Sequence, residues 1–109
     1  MPESFERGAL TEAVFYILLS LHEPMHGYAL MQNIDRLTEG RVVLGPGTLY
    51  GAINALVQKR WIIAVSAVRD TRKKEYKITD DGRYAFQKEI DRLKELLRNG
   101  EKVNEGVMV

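Results

Sequence analysis

The 109-residue chain contains no cysteine and only two histidines. The absence of cysteine excludes disulfides, a thiol nucleophile and zinc held by cysteine, and two histidines leave few ligands for any other metal site. The apolar runs are shorter than the roughly 20 residues that a membrane span needs, and residues 1–4 lack the basic start of a secretion signal. We therefore expect no metal, no cofactor and no membrane association, and a soluble protein of the cytoplasm.

No charge of one sign dominates the chain, whose net charge is +1, but the charges are unevenly distributed. Residues 1–40 carry two basic and six acidic side chains, a net charge of −4. Residues 41–77 carry eight basic and two acidic side chains, a net charge of +6, and residues 78–109 carry six and seven, a net charge of −1. A local basic region on a nearly neutral protein is typical of a surface that binds an anionic partner such as nucleic acid.

Hydrophobic spacing predicts three helices in the first half of the chain. The first helix covers about residues 11–21, and the second begins at residue 26 or 27. Residues 42–44 are suited to a small strand. The third helix follows, with Pro46 in its first turn and Thr48 as its cap.

After the third helix the pattern changes to the two-residue period of strands. Residues 62–68 and 75–79 predict a hairpin with a polar turn between the strands. Thr79 is suited to cap a last helix over residues 80–100. Residues 101–109 are predicted to be a flexible tail.

This order of elements predicts a mainly α fold with a small β-hairpin, in the α+β class. Three helices followed by a hairpin form a winged helix-turn-helix domain, here over residues 1–79, and the helix over residues 80–100 is interpreted as a dimerisation helix. Its apolar residues are spaced by four, three and four positions, which is the narrow seam of a helix that packs against a partner helix. The residues of this seam are Phe86, Ile90, Leu93 and Leu97.

Two motifs resemble catalytic signatures, but neither has the context that its chemistry needs. Residues 22–26 read His-Glu-Pro-Met-His, the spacing of a zinc protease helix, yet Pro24 breaks the continuous helix that would carry both imidazoles. Gly45, Gly47 and Gly51 resemble a phosphate-binding loop, but their spacing is not that of the dinucleotide fingerprint and no long strand precedes them. We therefore predict that the protein is not an enzyme.

The third helix is predicted to present small and neutral polar side chains opposite its apolar stripe. The residues of this outward face are Gly47, Thr48, Gly51, Asn54, Ala55 and Gln58. A solvated face usually carries Lys and Glu, whereas small residues let a helix enter a groove, and Asn or Gln can form paired hydrogen bonds with adenine. The face fits either the major groove of DNA or another protein surface, and we favour DNA.

Residues that can bind phosphates lie beside the outward face. Tyr50 flanks it and Lys59 stands at its edge. The hairpin adds a basic group, which consists of Arg69, Arg72, Lys73, Lys74 and Lys77. A basic tip that follows a groove-shaped helix is interpreted as a wing along DNA phosphates, with an affinity that falls steeply with salt.

Three segments, in the same order, resemble the PadR family of bacterial transcription regulators over about residues 8–98. Residues 26–30 (His-Gly-Tyr-Ala-Leu) resemble the opening of that family's second helix, and residues 45–50 (Gly-Pro-Gly-Thr-Leu-Tyr) its recognition helix. Residues 72–82 resemble its wing and the entry to its last helix. The single C-terminal helix is similar to the small subgroup of the family.

The resemblance implies a homodimer that represses transcription from an inverted-repeat operator, which some relatives release on binding a small molecule. Carried over by position, Tyr28, Thr48, Tyr50 and residues 72–74 approach the DNA. The alternative is a winged helix that binds protein or RNA without operator specificity.

The resemblance also places the dimer interface on the first and last helices, so Val14 and Leu18 join the seam as candidate contacts. A small-molecule effector then has a candidate site between these helices. Its lining would be Phe15, Tyr16, Tyr84 and Phe86. Filling of the core explains these aromatic residues more simply.

The chain departs from the family pattern after the recognition helix, where the family commonly has glycine and this sequence has Arg60. Arginine in a left-handed cap conformation costs about 1 kcal/mol. Either the helix continues by one residue, or Arg60 has a role of its own, for example toward phosphate.

Overall fold

The computed structural model describes residues 8–66 and 74–106. In these residues the elements follow the order α1 (Glu12–Ser20), β1 (Met25–His26), α2 (Gly27–Leu37), α3 (Pro46–Gln58), β2 (Ile62–Ser66), β3 (Lys74–Ile78) and α4 (Asp80–Asn104). The strands form one antiparallel sheet in the order β1-β3-β2. The predicted α+β fold, a winged helix-turn-helix followed by a long helix, is confirmed.

The core is formed by one apolar stripe from each of α1, α2 and α3, closed by the inner face of the sheet. Its buried members are Val14, Ile17, Leu18, Leu21, Leu30, Ile34, Leu49, Ile53, Leu56, Ile62, Tyr76 and Ile78. Burial of one such aliphatic side chain stabilises the fold by about 1.5–3 kcal/mol. Val14 and Leu18 therefore belong to the core of their own chain and present little surface to a partner, and their role as dimer contacts stays a prediction. The physical reason is that α1 contacts both α2 and α4 of the same chain, so its burial on several sides needs no partner.

The sheet differs from the predicted hairpin by one added strand and one missing strand. β2 and β3 pair from Ile62↔Ile78 to Ser66↔Lys74, as expected, while residues 67–73 lie outside the described residues. β1 adds two residues to the other edge of β3. The predicted strand at residues 42–44 is not formed. Those residues form a loop, in which the Val42 N–H donates to Thr38 Oγ1 at 3.0 Å.

The two ends of α3 are fixed by its first and last turns. Gly45 is the N-cap and Pro46 the first helical residue, as Pro favours, but no side chain caps the helix, so the predicted cap at Thr48 is wrong. At the other end Arg60 has a φ of 65°. The Arg60 N–H donates to the Val57 carbonyl at 2.9 Å and the Trp61 N–H to the Leu56 carbonyl at 3.0 Å, the bond pair of a Schellman motif. The helix therefore stops, and Arg60 is its left-handed cap.

The first turn of α4 is joined to the end of α3. Thr79 caps α4 as predicted, since its Oγ1 accepts from the Gly82 N–H at 3.0 Å. The Thr79 Oγ1 also donates to the Arg60 carbonyl at 2.7 Å, and the Thr79 N–H donates to the Trp61 carbonyl at 2.9 Å. A Cβ on Gly82 would collide with the Trp61 carbonyl oxygen and lie 2.8 Å from Ile78 Cγ1. Only glycine therefore allows this close packing.

The far end of α4 lies beyond the predicted end at Gly100, which is an ordinary helical position. The helix continues to Asn104, so the first part of the predicted tail is helical. Gly106 supplies the positive φ, 84°, that ends it, and its N–H donates to the Val103 carbonyl at 3.0 Å. In the part of the chain that the structure describes, no helix is both long and apolar enough to cross a membrane.

Candidate nucleic-acid interface

The outward face of α3 is open to solvent. Leu49, Ile53 and Leu56 are fully buried on the inner side, which turns the opposite side outward at about 100° per residue. The exposed residues of the outward face are Gly47, Thr48, Gly51, Asn54, Ala55 and Gln58. A Cβ added to Gly47 or Gly51 would meet nothing within 4 Å. No charged residue interrupts α3, so the face offers small side chains and neutral hydrogen-bonding groups.

Tyr50 connects the start of α2 to this helix. The Tyr50 ring lies against the backbone of Gly27, where an added Cβ would lie 2.6 Å from Tyr50 Cζ and collide with the hydroxyl oxygen. Burial raises the pKa of Tyr76 on β3, and nearby Tyr50 adds to the shift, so Tyr50 stands between α2 and the sheet. Tyr50 and Tyr28 both keep exposed surface.

Replacing Gly27 with alanine is expected to destabilise the protein by about 1–3 kcal/mol, because its Cβ would push the Tyr50 ring out of place. Chemical denaturation measures the change. Adding Tyr50→Ala removes the collision, so the double variant should lose less stability than the two single losses together. Strictly additive losses would show that the two residues do not contact one another.

The basic residues near α3 are only partly described. Lys59 is half-buried, with its Nζ 5.1 Å from the centroid of the Trp61 ring. Lys74 and Lys77 are exposed on β3. The predicted contacts Arg72 and Lys73 lie outside the described residues, as does Arg69.

Arg41, another cation of the basic segment, is paired within the chain. It forms a salt bridge with Glu12 at the start of α1. The Arg41 guanidinium holds the pKa of Glu12 below its ordinary value through this hydrogen bond. The cations that we consider for phosphate binding beside α3 are therefore those of the wing and of the end of α3.

The distal half of α4 carries an apolar stripe that none of the described residues covers. Phe86 and Ile90 are half-buried near the domain, whereas every residue from 93 to 106 is exposed. The stripe consists of Leu93 (40% exposed), Leu96 (54%), Leu97 (61%) and Val103 (58%). The sequence prediction missed Leu96 and Val103, although their separation by seven positions places them beside the seam.

The aromatic residues proposed as an effector site do not form one group. Phe15 stacks on Phe86 with ring centroids 4.9 Å apart and meets Tyr16 edge to face at 5.5 Å. Tyr84 is 67% exposed, and Lys88 Nζ lies 5.5 Å from the centroid of the Tyr84 ring. Tyr84 and Phe86 are two helical positions apart and so point to opposite sides of α4. Tyr84 therefore does not join the aromatic group of Phe15 and Phe86 between α1 and α4, and its role as a lining residue stays a prediction.

The two histidines of the zinc-like motif have separate structural roles. His22 follows α1, and its Nδ1 donates to the Leu18 carbonyl at 2.9 Å. His26 is the N-cap of α2, and its Nδ1 accepts from the Ala29 N–H at 3.3 Å. Among residues 8–66 and 74–106, no group of three or more His, Asp or Glu is placed to hold a metal ion.

Comparisons with known proteins agree with this geometry. The chain matches the transcriptional regulator PadR-like family over residues 15–88. It is similar to the structure of a PadR-like transcription factor from Bacteroides fragilis, with 25% identity, a TM-score of 0.71, and coverage of 93% of this chain and 96% of that one. It is also similar to a transcriptional regulator from Clostridium thermocellum, with 25% identity, a TM-score of 0.69 and 99% of both chains covered.

A more distant structure shows the same fold. The YusO protein from Bacillus subtilis has 21% identity and a TM-score of 0.73, and the match covers 89% of this chain and 64% of YusO. The search of curated proteins gave no match.

Proposed function

Because the chain belongs to the PadR-like family of transcriptional regulators, we propose that it represses transcription by binding double-stranded DNA as a homodimer. Regulators of this family act on transcription through DNA and are not enzymes. In each protomer α3 enters a major groove, and the wing, the β2–β3 hairpin, lies along the DNA backbone. The protein then acts in the cytoplasm, as the sequence predicts.

The open, uncharged face of α3 carries this proposal. A helix face that contacts only water commonly carries charged residues. This face instead has two glycines with open space around them and three neutral polar side chains. Asn54 and Gln58 can pair with adenine edges, and the Thr48 methyl can contact thymine. Tyr28, Tyr50, Lys59 and Lys74 then contribute phosphate contacts, together with Arg72 and Lys73 of the wing tip.

The stripe on α4 supports the homodimer. Apolar residues at near-heptad spacing on an exposed helix are stabilised when a second helix covers them. With a two-fold axis between two such helices, we expect the two α3 helices to reach half-sites about 34–36 Å apart, one turn of DNA, on an inverted-repeat operator. Phe86, Ile90, Leu93 and Leu97 are the proposed seam, with Leu96 and Val103 added.

A small-molecule effector has a place in the proposal only at the aromatic group between α1 and α4. A ligand that entered there would have to separate Phe15 from Phe86. Loss of operator binding on addition of such a ligand would support this part of the proposal.

Selection of bound duplexes from a random pool tests the proposed function. The expected result is an enriched inverted repeat with half-sites one helical turn apart. Absence of any enriched duplex, with binding only to RNA or to protein, would show that this winged helix is an interaction module instead.

Replacing Asn54 with alanine is expected to weaken binding to the selected operator by roughly 1–3 kcal/mol and to relax the preference at one base pair. Lys74→Ala is the contrasting variant, since loss of a phosphate contact weakens all sequences alike and flattens the salt dependence. Repeating the selection with each variant separates the two effects. If Asn54→Ala selects the same sequences as the unchanged protein, Asn54 does not contact a base.

A further inference from the structure

We propose that Arg60 binds a DNA phosphate beside the C-terminal end of α3, and that this contact explains an arginine at a backbone position suited to glycine. This inference rests on the proposed function, because it adds a contact to the same DNA surface. Arg60 is not among the contacts that the family resemblance supplies.

The backbone at Arg60 is strained. Its φ of 65° lies in the left-handed region. A residue with a side chain has a conformational energy roughly 1 kcal/mol higher than glycine in this region. Strained residues of this kind concentrate at functional sites, where the strain is offset by another interaction. Glu39, after α2, is the other non-glycine with positive φ in the described part of the chain. It has the same pair of cap bonds, Glu39 N–H to Arg36 carbonyl at 3.3 Å and Gly40 N–H to Asp35 carbonyl at 2.9 Å.

Nothing in the described chain uses the Arg60 side chain. Arg60 is exposed, and its guanidinium forms no hydrogen bond or salt bridge with residues 8–66 or 74–106. Its backbone alone is engaged, through the carbonyl that accepts from Thr79 Oγ1 at 2.7 Å. The neighbouring Lys59 differs, since its ammonium lies over the Trp61 ring. The Arg60 side chain, which has no partner among the described residues, is thus left for an external anion.

The location of Arg60 suits a phosphate. The 13 residues of α3 span about 20 Å, and a recognition helix of this motif contacts base edges with its N-terminal residues. When the outward face is in the groove, the end of the helix therefore lies beside the sugar–phosphate backbone. Arg60 comes two residues after Gln58 of that face and two before β2, so it stands between the helix and the wing. A guanidinium at this point can form paired hydrogen bonds with phosphate oxygens.

Two glycine variants and one lysine variant of the full-length dimer test the inference. Arg60→Gly removes both strain and charge, Arg60→Lys keeps both, and Glu39→Gly relieves the same strain at the end of another helix. The measurements are the thermal midpoint and the affinity for the selected operator across a salt series, with the oligomeric state checked by sedimentation.

Arg60→Gly is expected to raise the midpoint by about 4 °C and to weaken operator binding roughly tenfold per protomer. The slope of log affinity against log salt should become shallower by about 0.9 per protomer, one phosphate contact each. Arg60→Lys should keep the slope, and Glu39→Gly should raise the midpoint without weakening binding.

An unchanged salt slope for Arg60→Gly, with selective binding by the unchanged protein, would overturn this inference and leave the proposed function intact. Dissociation of Arg60→Gly into monomers would overturn it too, by placing Arg60 at the dimer interface. Failure of the unchanged protein to select any duplex would instead reject the proposed function.

Discussion

Replacing Leu97 with glutamate is expected to turn the proposed dimer into folded monomers. Leu97 is 61% exposed within its own chain, so the substitution removes little buried surface from the monomer. In the proposed dimer it removes two buried leucines, each worth about 1.5–3 kcal/mol, and introduces two carboxylates. The dimer dissociation constant should therefore rise roughly a thousandfold or more, as measured by sedimentation, while the helix signal in circular dichroism is kept.

Tyr84→Glu is the matched control for Leu97→Glu. Tyr84 is an equally exposed apolar residue of α4, but it lies away from the stripe and its glutamate can pair with Lys88. This variant should remain a dimer. A folded Leu97→Glu protein that still sediments as a dimer would show that the interface lies elsewhere, and the proposed arrangement of the two α3 helices would fall with it.

Replacing Gly51 with glutamate is expected to abolish operator binding without disturbing the fold. The position is open, since an added Cβ meets nothing within 4 Å, so the side chain can extend from the helix. In the complex the same side chain would place a carboxylate between two phosphate backbones, where like-charge repulsion costs several kcal/mol per protomer. The affinity should fall roughly a thousandfold or more, as measured by fluorescence anisotropy on labelled duplex.

Gly51→Ala at the same position separates folding from binding. Glycine inside a helix costs about 0.5–1 kcal/mol relative to alanine, so this variant should unfold at a higher denaturant concentration. A methyl group adds little bulk, and operator binding should stay within about tenfold of the unchanged protein. Undiminished operator binding by Gly51→Glu would mean that the outward face of α3 is not in the groove.

Most of the fold could be predicted because its signals are local. The cap residue Thr79 accepts a hydrogen bond at the helix start where the sequence placed it. The apolar stripe of α3 fixes which side is buried, and helical geometry then fixes the open side. The sequence left two alternatives at Arg60, a helix longer by one residue or a separate role for the arginine. The conformation of a cap residue depends on the path of the chain that follows it, which the local sequence does not determine.

The parts that escaped prediction depend on contacts between distant segments. β1 has two residues, too few to show a period, and exists because β3 offers Tyr76 and Glu75 as partners. The contact of Tyr50 with Gly27 joins two motifs that the sequence shows only separately. The end of α4 was misplaced because Gly100 and Gly106 look alike in sequence, and only the second has positive φ.

The joint at Thr79 has a mechanical consequence. Thr79 donates two hydrogen bonds, to the carbonyls of Arg60 and Trp61, and Gly82 packs closely against Trp61. These contacts hold the end of α3 against the start of α4. We therefore expect the end of α3 and the start of α4 to move together. In the proposed dimer, a change in the angle at which the two α4 helices cross would then alter the distance between the two α3 helices, and B-DNA, with its fixed helical repeat, would tolerate only a narrow range of such angles.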